Sequence, residues 1–584
     1  MVFCRRSSAP NLGLAWLGLA LAAWGCARAA EENPQPAQPP KELNFTVSKT
    51  FDGKEFACEM KLAGQESGYN LYRFKFPSPV QSAVPSNNTV YGKYYWPAGM
   101  KPDGEKRPAV VCLHILDRDF TLVEILCSAL AGRGIPAAMI ELPYYGERLP
   151  AQAENPMLTD ATIFSAALAQ AVQDTRRTID MLQARPEVNA ERVGLAGISL
   201  GGILTGTVAG ADERVYRAAL ILAGGNLPRI VGSAREAGQL REAMRVMPAE
   251  QRSRCEEALR ACDPLAWAGK LRARAGAGRV LMYNAAEDDV IPRPCTEELA
   301  EALGIKDKVR WLEGLTHYSA LAALPKVLGG VCDFYAVDLP PSVVKAEPKL
   351  PKNSPQNSVA QLLRDLSRAI FFPDDDTANC CFVSLEASGT QFKQKATLRY
   401  VRSGGGRFRL EGVLPDLGKV ALGQGEFPWM LSRNGVLFKG SKDAKAGRSP
   451  LAFADAKAIG KAQGLTGILT GFALFPSAMD VLASFESKNT ADGGITIQME
   501  GKSKDVKGGV ALLALSQDGG APRSLRLQMR EAVTDVTVKE WQMNGPATPE
   551  LFEPPQSVNI VVVSQEDLQR VFSAFFNRIV EEAN

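Results

Sequence analysis

The pentapeptide Gly197-Ile198-Ser199-Leu200-Gly201 has the form G-x-S-x-G. It follows the apolar run Arg192-Val-Gly-Leu-Ala196 and leads into Gly202-Ile203-Leu204-Thr205. The pattern needs a strand, a sharp turn and a helix in that order. The turn is strained and crowded, so small residues stand two positions either side of the serine. A serine hydroxyl is a poor nucleophile until a base takes its proton. The chain has only two histidines, His114 and His317. Only His317 lies downstream, in Gly314-Leu-Thr-His317-Tyr, just past the strand-like run Val309 to Leu312. A third group must orient the imidazole and stabilise its protonated form. The run Arg279 to Tyr283 ends in Asn-Ala-Ala-Glu287-Asp288-Asp289-Val-Ile-Pro292. Asp288 is the first choice for that acid and Asp289 the alternative. Ser199, Asp288 and His317 together predict acyl transfer through a serine ester.

The elements that must hold these residues alternate. Continuous apolar runs at Ala109–Leu113, Pro136–Ile140, Arg192–Ala196, Ala218–Leu222, Arg279–Tyr283 and Val309–Leu312 read as strands buried on both faces. Helical patterns separate them; in Ala167–Leu182, residues Ala171, Thr175, Ile179 and Leu182 recur near period 3.6. Such alternation implies an α/β fold, a mostly parallel sheet with helices on both faces. Residues 44–108, with weaker strands and many turn residues, could add an antiparallel edge to the same sheet.

Residues from about 50 to 335 resemble the α/β-hydrolase superfamily, and within it the dienelactone-hydrolase and acetyl-xylan-esterase-like branch. The matching features are the elbow Gly197–Gly202, the Asp288-x-x-x-Pro292 loop, the His317 loop and the strand Pro108–His114. The resemblance implies an oxyanion hole made by the backbone N–H groups of Leu200 and Ile115. In that family the strand commonly ends in His-Gly; here Ile115-Leu116 follows His114. His114 reads as structural, hydrogen-bonded beneath the site. Tyr144 and Tyr145 fall on the active-site edge of such a sheet; packing is the default reading for them, and with His114 they are possible pocket residues. Arg235, Arg241, Arg245, Arg252, Arg254 and Arg260, within residues 233–262, lie where hydrolase caps insert. A solvated helical cap is the default reading there, and an anionic-substrate clamp is the alternative.

The expected activity is cleavage of a carboxylic ester by Ser–His–Asp catalysis. A serine peptidase of the same fold is the alternative, although a prolyl-oligopeptidase-like enzyme usually carries a propeller for which there is no room. A non-catalytic envelope binding protein is the rival class. The substrate would be a small-molecule, carbohydrate or lipid ester. No Cys/His pattern suggests a metal, and no motif suggests a cofactor. Net charge is +3, from 67 basic and 64 acidic residues, which lacks the basic excess of a nucleic-acid binder.

Five prolines between Asp338 and Ser358 mark a linker, placed at 339–357. It separates a catalytic domain, 46–338, from an accessory domain, 358–584. The second half shows period-2 alternation, as in Ile495, Ile497 and Met499, and a two-residue hairpin signal at Asn434-Gly435. An α+β antiparallel, half-barrel-like domain with terminal helices is expected. Its pattern weakly resembles the lipoprotein-carrier fold of the LolA type, through the opening helix, the Gly-rich turn before Arg407 and the ending Val538–Pro555. The resemblance implies a concave face that could hold an acyl chain.

Arg5 and Arg6, the apolar run Leu12–Trp24 and small residues at Ala27 and Ala29 read as a secretory signal, 1–29. A Pro-rich tether, 30–45, follows. A lipoprotein reading with Cys26 lipidated competes, giving membrane attachment by lipid. No stretch of the mature chain reads as a transmembrane helix, so a soluble exported protein, periplasmic or extracellular, is expected. The nine cysteines beyond Cys4 and Cys26 read mostly as buried free thiols.

Overall fold

The computed structural model describes residues 39–116, 120–150, 155–345, 354–370, 376–390, 394–414, 418–432, 434–440, 476–490, 493–502, 508–516, 521–529, 531–556, 559–564 and 567. The signal 1–29, Cys26, most of the tether, residues 346–353 of the linker and the apolar face expected beyond Ser564 lie outside these residues. The chain divides into two compact units, Glu32–Lys349 and one that holds Leu350–Asn584.

The first unit is built on a ten-stranded sheet. In chain order its strands are β1 (Phe45–Val47), β2 (Phe56–Gln65), β3 (Tyr69–Pro77), β4 (Thr89–Pro97), β5 (Arg107–Leu113), β6 (Ala137–Ile140), β7 (Val188–Ile198), β8 (Ala218–Ile221), β9 (Val280–Ala285) and β10 (Arg310–Leu312). In space they run β1-β2-β3-β4-β6-β5-β7-β8-β9-β10. The strands β1 to β4 pair antiparallel, and β4 meets β6 antiparallel. From β6 to β10 every pairing is parallel. Residues 44–108 therefore do supply an antiparallel edge to the same sheet. The parallel strands are covered on both faces, which is why β6, β8 and β9 are buried along their whole length.

Helices α1 (Thr121–Gly132), α2 (Ala161–Gln183) and α3 (Leu200–Ala211) cross between β5, β6, β7 and β8. Chain order reverses at β5, which lies between β6 and β7. Crossovers leave in opposite directions there, and a crevice opens past the carboxyl ends of β5 and β7. Between β8 and β9 the chain inserts α4 (Leu227–Ser233), α5 (Gly238–Val246) and α6 (Ala249–Ala261) before α7 (Pro264–Gly276) returns to the sheet. Helices α8 (Arg293–Ala302) and α9 (Leu324–Ala336) follow β9 and β10.

A polar cluster locks α2 to the antiparallel edge. The Arg148 guanidinium donates to Asp174 at 2.8 Å, and both side chains are fully buried. Ser78 Oγ donates to the same carboxylate at 2.6 Å. Burial still holds the Asp174 carboxyl above its ordinary range.

Helices α10 (Pro341–Lys345) and α11 (Pro355–Ile370) reach into the span expected as linker. Each begins on a proline, whose fixed φ and missing N–H suit a first helical turn. A count of prolines alone reads them as breakers. In the second unit α11 buries Val359, Leu362 and Leu363 and packs against the sheet. That sheet has twelve strands: β11 (Asn379–Gly389), β12 (Ala396–Ser403), β13 (Phe408–Leu414), β14 (Gly418–Gln424), β15 (Pro428–Leu431), β16 (Val436–Gly440), β17 (Ala483–Asn489), β18 (Ile495–Gly501), β19 (Gly509–Leu515), β20 (Pro522–Met529), β21 (Ala532–Pro546) and β22 (Asn559–Val563). Its order is β17-β18-β19-β20-β21-β11-β12-β13-β14-β15-β16-β22. Every pairing is antiparallel except β16 with β22. Gly435, at φ 76°, turns the β15–β16 hairpin.

Among the described residues no helix is long and apolar enough to cross a membrane. All nine described cysteines are buried and free.

Candidate active site

Ser199 ends β7 and opens α3. Its φ of 55° and ψ of −117° lie in a region that non-glycine residues rarely adopt. The glycines make the turn possible by close approach. A Cβ on Gly197 would lie 2.1 Å from the Gly201 carbonyl oxygen, and one on Gly201 2.2 Å from that of Leu113. The elbow is thus pressed directly against the end of β5. The four described non-glycine residues with positive φ are Tyr144, Ser199, Leu222 and Asn226. All follow the carboxyl ends of β6, β7 and β8, so backbone strain gathers on the edge where the crevice opens.

The loops after β9 and β10 bring the other two groups. Ser199 Oγ and His317 Nε2 are 3.0 Å apart. His317 Nδ1 faces both oxygens of Asp288, at 3.0 and 2.9 Å. The Asp288 carboxylate also accepts the backbone N–H groups of Val290 (2.9 Å) and Ile291 (2.7 Å). Its side chain is 1% exposed and that of His317 is 8% exposed. Asp289, the alternative acid, faces the His317 backbone: its Oδ1 accepts that N–H at 3.4 Å. The two adjacent carboxylates have separate tasks. One holds the imidazole, and the other braces the loop that carries it.

His114 sits below the elbow and is not among the residues lining the crevice. Its Nε2 accepts the Leu142 N–H at 3.1 Å, so Nδ1 carries the proton and donates to the Ile115 carbonyl at 2.7 Å. Burial pushes its pKa down to about 4. Tyr145 packs edge-on against the ring, with centroids 4.6 Å apart, and Phe120 does so at 4.9 Å. Tyr144 donates its backbone N–H to Asn87. The two tyrosines are 8% and 2% exposed and line no part of the crevice. The pocket alternative for His114, Tyr144 and Tyr145 is corrected: His114, just past β5, and the two tyrosines in the turn after β6 are packed away from the crevice. Ile115 and Leu200 do line the crevice beside Ser199.

The inserted helices roof the site. Their arginines form surface pairs within one helix, Arg245 with Glu242, Arg254 with Glu250 and Arg260 with Glu256. Arg241 donates instead to the backbone carbonyls of Val231 and Ala234. The underside is apolar. Leu227, Ile230, Val231, Ala234, Ala237 and Leu240 all line the cavity, at intervals of three, one, three, three and three. Sequence reading missed this stripe, although its helical spacing was available, because the arginines dominate the segment. Asp263 pins the roof at its base: its carboxylate accepts the Leu227 and Leu265 N–H groups. Over the mouth, the Tyr318 hydroxyl donates to Glu236 at 2.5 Å and links the His317 loop to the roof.

The cavity holds about 410 Å³. Among the described residues no group of His, Cys, Asp and Glu side chains could hold a metal ion.

The model of the prolyl oligopeptidase family (Peptidase_S9) matches residues 168–316. That segment includes Ser199 and Asp288 and stops one residue short of His317. No curated protein matches the chain. Among solved structures, a cold-adapted esterase from an Arctic intertidal metagenomic library is similar at 20% identity, over 47% of this chain and 97% of that one, with TM-score 0.33. An acetyl xylan esterase from Paenibacillus sp. R4 is 18% identical over 57% and 97%, with TM-score 0.37. An acylaminoacyl peptidase in complex with a chloromethyl ketone is 15% identical over 47% and 42%, with TM-score 0.35. The sheet order, the elbow and the family match together identify the first unit as a serine hydrolase of the α/β-hydrolase fold.

Proposed function

We propose that the first unit hydrolyses a carboxylic ester through an acyl-enzyme on Ser199. The observation that carries this reading is the unbroken line Ser199–His317–Asp288, with both contacts at 2.9–3.0 Å. His317 Nε2 takes the serine proton as Oγ attacks the ester carbonyl. Asp288 keeps the Nδ1–H tautomer aimed and stabilises the imidazolium. The N–H groups of Leu200 and Ile115 are assigned to the oxyanion; each such donor is worth roughly 10²–10³ in rate. His317 then returns the proton to the leaving alkoxide. Water, deprotonated by the same nitrogen, releases the acid and restores Ser199.

The family match supports a second reading, peptide hydrolysis. Ester over peptide is supported by the resemblance to the dienelactone-hydrolase and acetyl-xylan-esterase-like branch. It is also supported by the cavity lining, where Glu236, engaged by Tyr318, is the acid and no Lys or Arg takes part among the described residues. Export by the amino-terminal segment, soluble or anchored at Cys26, belongs to the same proposal. So does an accessory role for the second unit, with a LolA-like acyl-binding face.

The test pairs a fluorophosphonate with an ester and an anilide of the same acid. Labelling lost in Ser199→Ala, with the ester cleaved and the anilide untouched, is the expected result. Labelling that survives Ser199→Ala rejects the enzyme reading, and faster anilide cleavage favours the peptidase.

A further inference from the structure

The cavity beside Ser199 is far larger than an acetyl group needs, and it has a direction. Its inner walls come from two helices that pack on each other: Leu122 and Leu126 from α1, and Val327 and Leu328 from α9. The roof adds Ile230 and Leu240. Apart from Ser199 and His317, the polar side chains in the lining are, among the described residues, Glu236 and Tyr318. Those two are bonded to each other; Tyr318, 57% exposed, stands where the cavity meets solvent, and Glu236 is half-buried beside it. Leu321, 41% exposed, shares that opening. Among the described residues, the side chains at the closed end are hydrocarbon. A sugar hydroxyl, an ammonium or a second carboxylate placed there would lose its water without compensation. A hydrocarbon chain would gain by entering.

Size sets the scale. At about 30 Å³ for a water- or methylene-sized group, the 410 Å³ cavity has room for on the order of ten such groups. Turnover sets the orientation. The acyl group stays attached to Ser199 while the alcohol leaves, and the departing group needs the opening. The chain in the closed end is therefore the one that remains.

We propose that the closed end is an acyl-chain site, and that the substrates are esters of medium-chain, unbranched fatty acids of roughly six to ten carbons. The proposal rests on the ester reading and gives that site its substrate class.

The full chain is assayed with p-nitrophenyl alkanoates from acetate to laurate. Burial of one methylene changes kcat/KM by up to about fourfold, from ~0.8 kcal/mol at 1.36 kcal/mol per decade. The expected profile climbs at least 100-fold from acetate to octanoate and stops climbing past about ten carbons. Ala237→Trp, which fills the roof side of the cavity, should lower the octanoate-to-acetate ratio at least tenfold. A parallel measurement needs neither a variant nor ester turnover: the rate at which methyl and octyl p-nitrophenyl phosphonates inactivate Ser199. Octyl should react at least tenfold faster.

A profile that peaks at acetate, together with equal phosphonylation rates, overturns the acyl site and leaves the ester reading standing. Faster octyl phosphonylation with no alkanoate hydrolysed keeps the chain site and rejects the ester reading. A climb seen instead with hexyl and octyl acetates, and absent from the alkanoates, places the alcohol in the closed end and overturns the proposal.

Discussion

His114 makes the first unit acid-sensitive through the unfolded chain. In the native protein the ring is 1% exposed, with both nitrogens committed, and its pKa lies at about 4. In the unfolded chain a histidine titrates near pH 6.5. Between these values the unfolded state takes up a proton that the native state refuses. Stability therefore holds above about pH 6.5, falls as pH drops toward 4 and levels off below that. From pH 7 to pH 5 the loss is about 2 kcal/mol. The measurement is urea unfolding of the full chain at both pH values, followed by fluorescence. Retained phosphonate labelling of Ser199 assigns the transition to the first unit. His114→Gln removes the titration and leaves an acceptor for the Leu142 N–H. Other titrating groups, such as Asp174, cancel when the two proteins are compared. The wild type should lose about 2 kcal/mol more than the variant between pH 7 and 5. Equal losses would refute the account of a buried neutral ring.

Other expectations concern single residues. His317→Ala should lower kcat/KM at least about 10³-fold, whereas His114→Gln should keep a measurable rate; steady-state assays decide. Asp288→Asn should cost about 10⁴-fold in kcat with its melting curve nearly unmoved. Asp289→Asn should stay within about tenfold, since the amide oxygen can still accept the one long contact from the His317 N–H. Gly201→Ala drives a methyl into the Leu113 and His114 carbonyls and should destabilise the unit by about 1–3 kcal/mol or more, read by chemical unfolding. Asp174→Ala strands the buried Arg148 charge and should cost about 3–5 kcal/mol in the same measurement.

The parallel core was legible because strands buried on both faces read as unbroken apolar runs, as at Ala109–Leu113. The elbow was legible because its small residues are forced by contacts with the turn itself. The choice between Asp288 and Asp289 was not, since two adjacent carboxylates differ only in where the loop aims them. The turn that the Val290 and Ile291 N–H groups close on Asp288 decides it. Whether Tyr144 and Tyr145 line the pocket or pack was left open, because a residue just past a strand end can turn toward the crevice or away from it, and Asn87, distant in sequence, holds the turn. In the second unit the alternation was readable strand by strand. The junction of β21 with β11 was not, because it pairs strands some 150 residues apart with no local signal.

The nine buried thiols bear on how this chain matures and is handled. Burial lifts Cys58, Cys332 and Cys381 to about 12 and Cys262 and Cys295 to about 11. At pH 8 these five carry thiolate at only about one part in 10³–10⁴. Once folded, the nine described thiols are shielded from oxidants and alkylating reagents alike. Exposure arises only when the cores open, so alkylation by iodoacetamide becomes a clock for opening. Mass spectrometry would time each unit separately, with Cys58, Cys262, Cys295 and Cys332 reporting the hydrolase and Cys380 and Cys381 reporting the twelve-stranded sheet.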